Sequence, residues 1–178
     1  MANADTPRGF SATGCQYGLE PVSVAAASGT AVFRGDVMSG VNTGTATPAS
    51  AGDVVIIGIA NSATVATTAA KSLLAASTAG TIMVHQDPMQ QFIVQGDTDT
   101  AGTATIIFNS MNHLAGAGST ITGLSGHELD LSDAGDSTGG FVLLDYVLRD
   151  DNEEDAINVD CVVRLNVGEG ILSLPAGV

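Results

Sequence analysis

Apolar and polar side chains alternate in short stretches along this chain, and the pattern predicts strands. The clearest alternation lies in residues 156–167, where every second position from Ile157 onward is apolar. A period of two places these side chains on one face of a strand and the polar ones on the other. The shared apolar face comprises Ile157, Val159, Cys161, Val163, Leu165 and Val167.

Other strands are predicted where short apolar runs are bounded by turn-forming residues. These are residues 21–38, as two short strands around Ser28-Gly29, and 54–60, 81–87, 90–97, 104–110 and 139–150. Pro88 separates two of them because proline cannot donate a hydrogen bond to a strand ladder. Segments 43–53 and 114–126 predict loops, and 61–77 predicts a loop with at most one or two helical turns.

Composition extends this pattern to an all-β fold class. The chain has 178 residues, 22 of them glycine, and no tryptophan, which suits one domain with tight turns. We predict a compact β-barrel or sandwich of short antiparallel strands with long Gly-rich loops. Residues 21–178 form the single β-rich domain, and residues 1–20 form an extended N-terminal arm. This arm is either a disordered terminus or a segment that orders against a neighbouring subunit, with Phe10 and Tyr17 as anchors.

Charge excludes several classes of partner. The net charge is −14, and the basic residues are spread along the sequence, so no cationic patch is expected. Nucleic acid and anionic membranes are therefore not predicted partners. No apolar run approaches the roughly 20 residues of a membrane span. The first ten residues lack the apolar core of a secretion signal, so synthesis and first folding in the cytosol are expected. Cys15 and Cys161 are expected to stay unpaired.

An acidic segment at residues 150–155 has two interpretations. It joins two predicted strands, so it reads first as a solvated turn whose charges need no ligand. Clustered carboxylates also bind hard cations such as calcium, although the spacing of an EF-hand loop is absent. The turn is the favoured interpretation.

Catalytic motifs are incomplete in this sequence. GLSGH at 123–127 resembles a nucleophile elbow, but His127 replaces the final glycine and the strand–turn–helix context is missing. GAGST at 116–120 lacks the lysine of a phosphate-binding loop. No catalytic, cofactor-binding or metal site is predicted, and the chain is not expected to be an enzyme. A small serine hydrolase that uses Ser125 is the rival hypothesis.

Several segments, taken together and in order, resemble a group of tailed-bacteriophage capsid decoration (cement) proteins. The similarity spans residues 1–10 and parts of 81–167, whereas 11–80 and the residues after Val167 depart from it. The segments that carry it are MANADTPRGF (1–10), HQDPMQQFIVQGD (85–97), AGSTITGLSGHELDLS (117–132), LRDDNE (148–153) and VVRLN (162–166).

The resemblance implies a homotrimeric β-barrel protein with no cofactor, placed on the outer capsid surface of the virion. Such a protein stabilises the head by clamping adjacent subunits of the major capsid protein. The alternative is another phage virion component, such as a head fibre base or a tail tube or tip β-domain. On the first hypothesis the N-terminal arm supplies the partner interface, through Ala2, Asn3, Thr6, Pro7, Arg8, Phe10 and Tyr17.

Overall fold

The computed structural model describes residues 3–16, 18–25, 28–53, 55–63 and 72–166. These residues form short strands, long connections and two single-turn 3₁₀ helices, which confirms the predicted all-β class. The strands are β1 (Ser11–Thr13), β2 (Leu19–Val24), β3 (Val37–Val41), β4 (Thr45–Pro48), β5 (Ile56–Ala63), β6 (Gly80–His85), β7 (Gln91–Gln95), β8 (Ser110–Met111), β9 (His113–Leu114), β10 (Glu128–Leu129), β11 (Phe141–Tyr146) and β12 (Asp160–Leu165).

Five strands pair in a closed ring, in the order β2-β4-β3-β5-β6. All neighbours are antiparallel except β2 and β4, which meet at one parallel pair between Val24 and Ala46. Inside the ring lie small and medium apolar side chains, including Met38 and Ile82. Gly58 allows β5 and β6 to approach closely, because a Cβ at its positive φ would collide with the carbonyl oxygen of His85.

Five other strands form an antiparallel sheet in the order β1-β7-β12-β11-β8. One face of this sheet packs into the larger of two apolar clusters. The predicted alternation in β12 is confirmed, since Val159, Cys161, Val163 and Leu165 are all buried there. Ile157 departs from it and is 38% exposed, because Asn158, with a φ of 57°, interrupts the extended backbone between Ile157 and the strand. Val167 lies outside the described residues.

Three local predictions were wrong. The second strand expected within 21–38 does not form after Ser28-Gly29, where Val32 and Arg34 make only isolated bridges and β3 begins at Val37. Residues 45–48 form strand β4, although 43–53 was predicted as a loop, because the segment folds back in a hairpin on β3. Ala104–Ile106 is a 3₁₀ helix, although 104–110 was predicted as a strand. Phe108 interrupts the extended backbone there with a φ of 68°, and its amide donates to the carbonyl of Leu143. At the last two places pairing with another strand, the hairpin neighbour β3 in one case and Leu143 of β11 in the other, overrides local preference.

Candidate interaction surface

The first described residues, 3–13, form a strip that lies on their own domain, and we call them the N-terminal strip. Asn3 fixes its start to the acidic loop, residues 147–159. The Asn3 Nδ2 donates to the carbonyls of Glu153 (3.0 Å) and Ile157 (3.2 Å), and its Oδ1 accepts from the Glu153 amide at 2.8 Å. These bonds connect positions about 150 residues apart and fix the course of both segments.

Gln95 at the end of β7 fixes the middle of the strip. Its Oε1 accepts from the amide of Thr6 at 2.9 Å, while its Nε2 donates to the carbonyls of Ala4 (2.8 Å) and Asn158 (3.2 Å). The side chain is buried, so these bonds satisfy polar atoms that water does not reach. One glutamine thereby joins the strip to the acidic loop.

Phe10 fixes the end of the strip inside the core. Its ring stacks on Phe141 with centroids 4.4 Å apart, and the residue is only 2% exposed. Gly9 precedes it with a φ of 67°, where a Cβ would collide with Ser125, so the sharp approach to the core requires glycine. Residues 11–13 then pair with β7 as strand β1.

The predicted interface residues therefore have different environments. Asn3, Thr6 and Arg8 lie along the strip beside a surface depression, whereas Phe10 is a core residue of its own chain. Pro7 is partly exposed. Ala2 and Tyr17 lie outside the described residues. Within 1–20, the segment predicted as an arm, β1 and the first two residues of β2 are paired strands.

Arg8 projects from the strip towards a buried aspartate. The Asp160 side chain, 4% exposed, accepts from Arg8 Nη2 at 3.1 Å and from Arg149 Nη2 at 2.7 Å. Arg149 also pairs with Asp151 at 2.9 Å, and its bonds to Asp151 and Asp160 raise the pKa of its guanidinium. A buried carboxylate is costly unless it is paired, and here both arginines donate to the same oxygen of Asp160.

A groove of about 390 Å³ opens beside this pair, between the ring and the five-stranded sheet. Arg8, Arg34 and Arg149 line it, and Arg34 is held by a bond from its Nε to the carbonyl of Asn61 at 2.9 Å. We call this the arginine groove. Among its described lining residues, Asp160 is the one acid, and Asp151, just outside the lining, pairs with Arg149. The three arginines therefore meet two carboxylates in a chain of net charge −14. The fold thus brings to one groove three arginines that are distant in sequence, two of them paired with aspartates.

Asn152 organises the acidic loop. Its Oδ1 accepts from the amide of Asp160 at 2.7 Å, and its Nδ2 donates to the carbonyls of Val147 (2.8 Å) and Asp160 (3.1 Å). The loop connects β11 to β12, and its acidic side chains at 150, 151 and 153–155 are exposed. In the described parts of the chain, no group of three or more His, Cys, Asp or Glu residues is arranged to hold a metal ion.

Ser125 and His127 belong to a buried polar cluster with Asp36. The Ser125 hydroxyl accepts from the amide of His127 at 3.0 Å, and His127 Nδ1 accepts from the amide of Val37 at 3.3 Å. Burial raises the pKa of Asp36 to about 6 and, with the neighbouring His113, lowers that of His127 to about 3. The Ser125 side chain hydrogen-bonds the Asp36 carboxylate, and His127 Nε2 faces Asp36 Oδ1 at 3.7 Å. The imidazole nitrogens of His127 are thus directed at the Val37 amide and at Asp36, not at the Ser125 hydroxyl as in a serine–histidine pair.

The outer face of the five-stranded sheet is apolar at its centre. Ile93 and Val162 are cross-strand partners there, and Leu144 lies beside them at a bulge in β11. These three half-buried side chains and Leu148, which is 83% exposed, line a shallow depression of about 510 Å³. An antiparallel sheet with one face in water normally carries polar residues on that face, so this face has the character of a contact surface.

Comparison with known proteins adds no relative to this picture. No family model, no curated protein and no solved structure matches the chain. Within the described residues, no helix has both the length and the apolar character needed to cross a membrane.

Proposed function

We propose that this chain is a capsid decoration (cement) protein, a structural protein of a phage virion. It binds the outer surface of the head and stabilises it by clamping adjacent subunits of the major capsid protein. Its resemblance to decoration proteins supports this proposal, because several residues of the resembling segments perform specific structural tasks. Asn3 joins the strip to the acidic loop, Asn152 shapes that loop, and Arg149 pairs with Asp160.

The observation that carries the proposal is the apolar outer face formed by Ile93, Leu144, Val162 and Leu148. Leaving such side chains in water costs free energy that association recovers, about 25 cal/mol for each Å² buried. We assign this face to contact between sister copies in a homotrimer, the assembly that the resemblance implies. Three linked copies would then present three attachment surfaces at once, which strengthens weak single contacts.

The charge of the chain is compatible with a position on the outside of the head. A chain with a net charge of −14 is repelled by packaged DNA. The exposed acidic loop supports solubility at the outer surface, where decoration proteins work.

A binding experiment with undecorated phage heads tests the function. Purified protein should bind saturably and raise the temperature at which the shells open, because it bridges neighbouring capsid subunits. Negative-stain images should show knobs on the shell. Failure to bind any undecorated head would contradict the proposal, and label on the tail would favour the alternative of a tail tube or tip component.

The oligomer assignment has its own test. Val162→Asp places a charge in the centre of the outer face and should convert the trimer to monomer in light scattering, with the fold retained by circular dichroism. Val41→Asp makes the same substitution at an exposed valine away from this face, at the end of β3 in the ring, and controls for the added charge. Equal oligomeric states in both variants would remove this face from the assembly.

A further inference from the structure

We propose that the arginine groove binds a carboxylate group, supplied either by a small organic acid or by an acidic peptide segment. The proposal is independent of the phage assignment. It starts from the distribution of charge: three of the five basic residues of the chain line one groove, beside one of its nineteen acidic residues.

Structural pairing accounts for only part of this positive charge. Arg8 and Arg149 both donate to Oδ2 of Asp160, so a single carboxylate faces two guanidinium groups. Arg149 finds a second partner in Asp151 on the exposed loop, but Arg34 is held only by a neutral backbone carbonyl among the described residues. If the arginines served only to neutralise Asp160, one would suffice.

Unused donors face the groove. A guanidinium has five N–H donors, and Arg8 and Arg34 each use one nitrogen in a hydrogen bond to the described residues. Both side chains are substantially exposed, so a ligand can reach the remaining donors. Arg8 belongs to the N-terminal strip and Arg34 to the connection that precedes β3, so two separate segments bring guanidinium groups to the lining of the groove.

The shape and lining of the groove favour a carboxylate. Guanidinium groups match the planar oxygens of a carboxylate through paired hydrogen bonds. Half-buried apolar side chains, Ala12 and Leu124, lie in the same lining and would contact the carbon chain of an organic acid or peptide. A volume of about 390 Å³ is within the range of small-ligand sites.

Titration of the full chain with three probes tests the inference. Citrate, a glutamate-rich peptide and inorganic phosphate are added separately at low ionic strength, where screening is weakest. Binding is followed by calorimetry and by the Nε–H signals of the arginines in NMR spectra. We expect saturable binding of a carboxylate probe with shifts at Arg8 and Arg34. Binding of citrate alone identifies a small acid, and binding of the peptide alone identifies an acidic segment.

Two charge-matched variants make the test specific. Arg34→Gln should weaken carboxylate binding at least about tenfold, because it removes charge-assisted donors. Arg164→Gln removes the same charge on β12, outside the groove lining, and should leave binding unchanged. Both variants are checked for native fold by circular dichroism. The proposal is overturned if neither carboxylate binds saturably, if phosphate alone binds, or if both variants lose affinity equally.

Discussion

Replacing Phe10 with alanine tests whether the N-terminal strip belongs to the core of its own chain. The Phe10 ring is 2% exposed and stacks on Phe141 with centroids 4.4 Å apart. A buried aromatic side chain removes about 150–250 Å² from water, and Phe→Ala substitutions in cores cost about 3–5 kcal/mol. We expect Phe10→Ala to lower the free energy of unfolding by about 4 kcal/mol, a large share of the roughly 5–15 kcal/mol of an ordinary domain.

The assay is urea denaturation followed by circular dichroism, with thermal unfolding as a second measurement. At about 2–4 °C for each kcal/mol in a domain of this size, the midpoint should fall by about 8–16 °C. Phe108→Ala is the matched control, since Phe108 is 75% exposed, and it should cost less than about 0.5 kcal/mol. A loss below about 1 kcal/mol for Phe10→Ala would refute the packing of the strip against its own domain.

Two further predictions concern a hydroxyl and a carboxyl group. Tyr146→Phe should lower the free energy of unfolding, measured by urea denaturation, by about 1–3 kcal/mol. The reason is that the Tyr146 hydroxyl accepts from the amide of Thr103 (2.8 Å) and donates to its carbonyl (2.9 Å). An unchanged midpoint would contradict this. Burial, with the charges of Asp5 and Asp97, raises the pKa of Glu128 from 4.5 to about 7. Its stabilising contribution is therefore complete below pH 4.5 and is lost as pH rises through about 7. Glu128→Gln should therefore raise the free energy of unfolding by about 1–2 kcal/mol at pH 8, a figure that already includes a reduction for solvent screening, and should change it little at pH 4. An equal gain at both pH values would contradict the assignment.

The sequence predicted strands best where the pattern reports burial directly. In β12 the alternation matches the buried face, because a strand points successive side chains to opposite sides whatever its neighbours are. The strand prediction failed at β4, whose small and polar residues are extended because they pair with β3. It failed again at 104–106, where apolar side chains occur in a 3₁₀ turn.

The candidate site was predicted only in part. Asn3, Thr6 and Arg8 were named as interface residues and lie together along the strip, but Phe10 was expected as an anchor for a neighbour and packs in the core. Arg34, Arg149 and Asp160 were missed. One signal was present in the sequence: Asp160 stands in a strand pattern on the face opposite the apolar one, and an acid held there needs a cation nearby if it is buried.

Local properties of the chain were determined by the sequence alone: its strand character, its acidity and the buried face of its last described strand. Each depends on backbone period or on composition, which neighbouring residues set without reference to the fold. Only the tertiary structure decided which strands close the ring and which arginines meet. Arg8 and Asp160 are 152 residues apart along the chain, yet their side chains are 3.1 Å apart. Contacts of that kind arise when strands distant in sequence pair, and no local pattern records them.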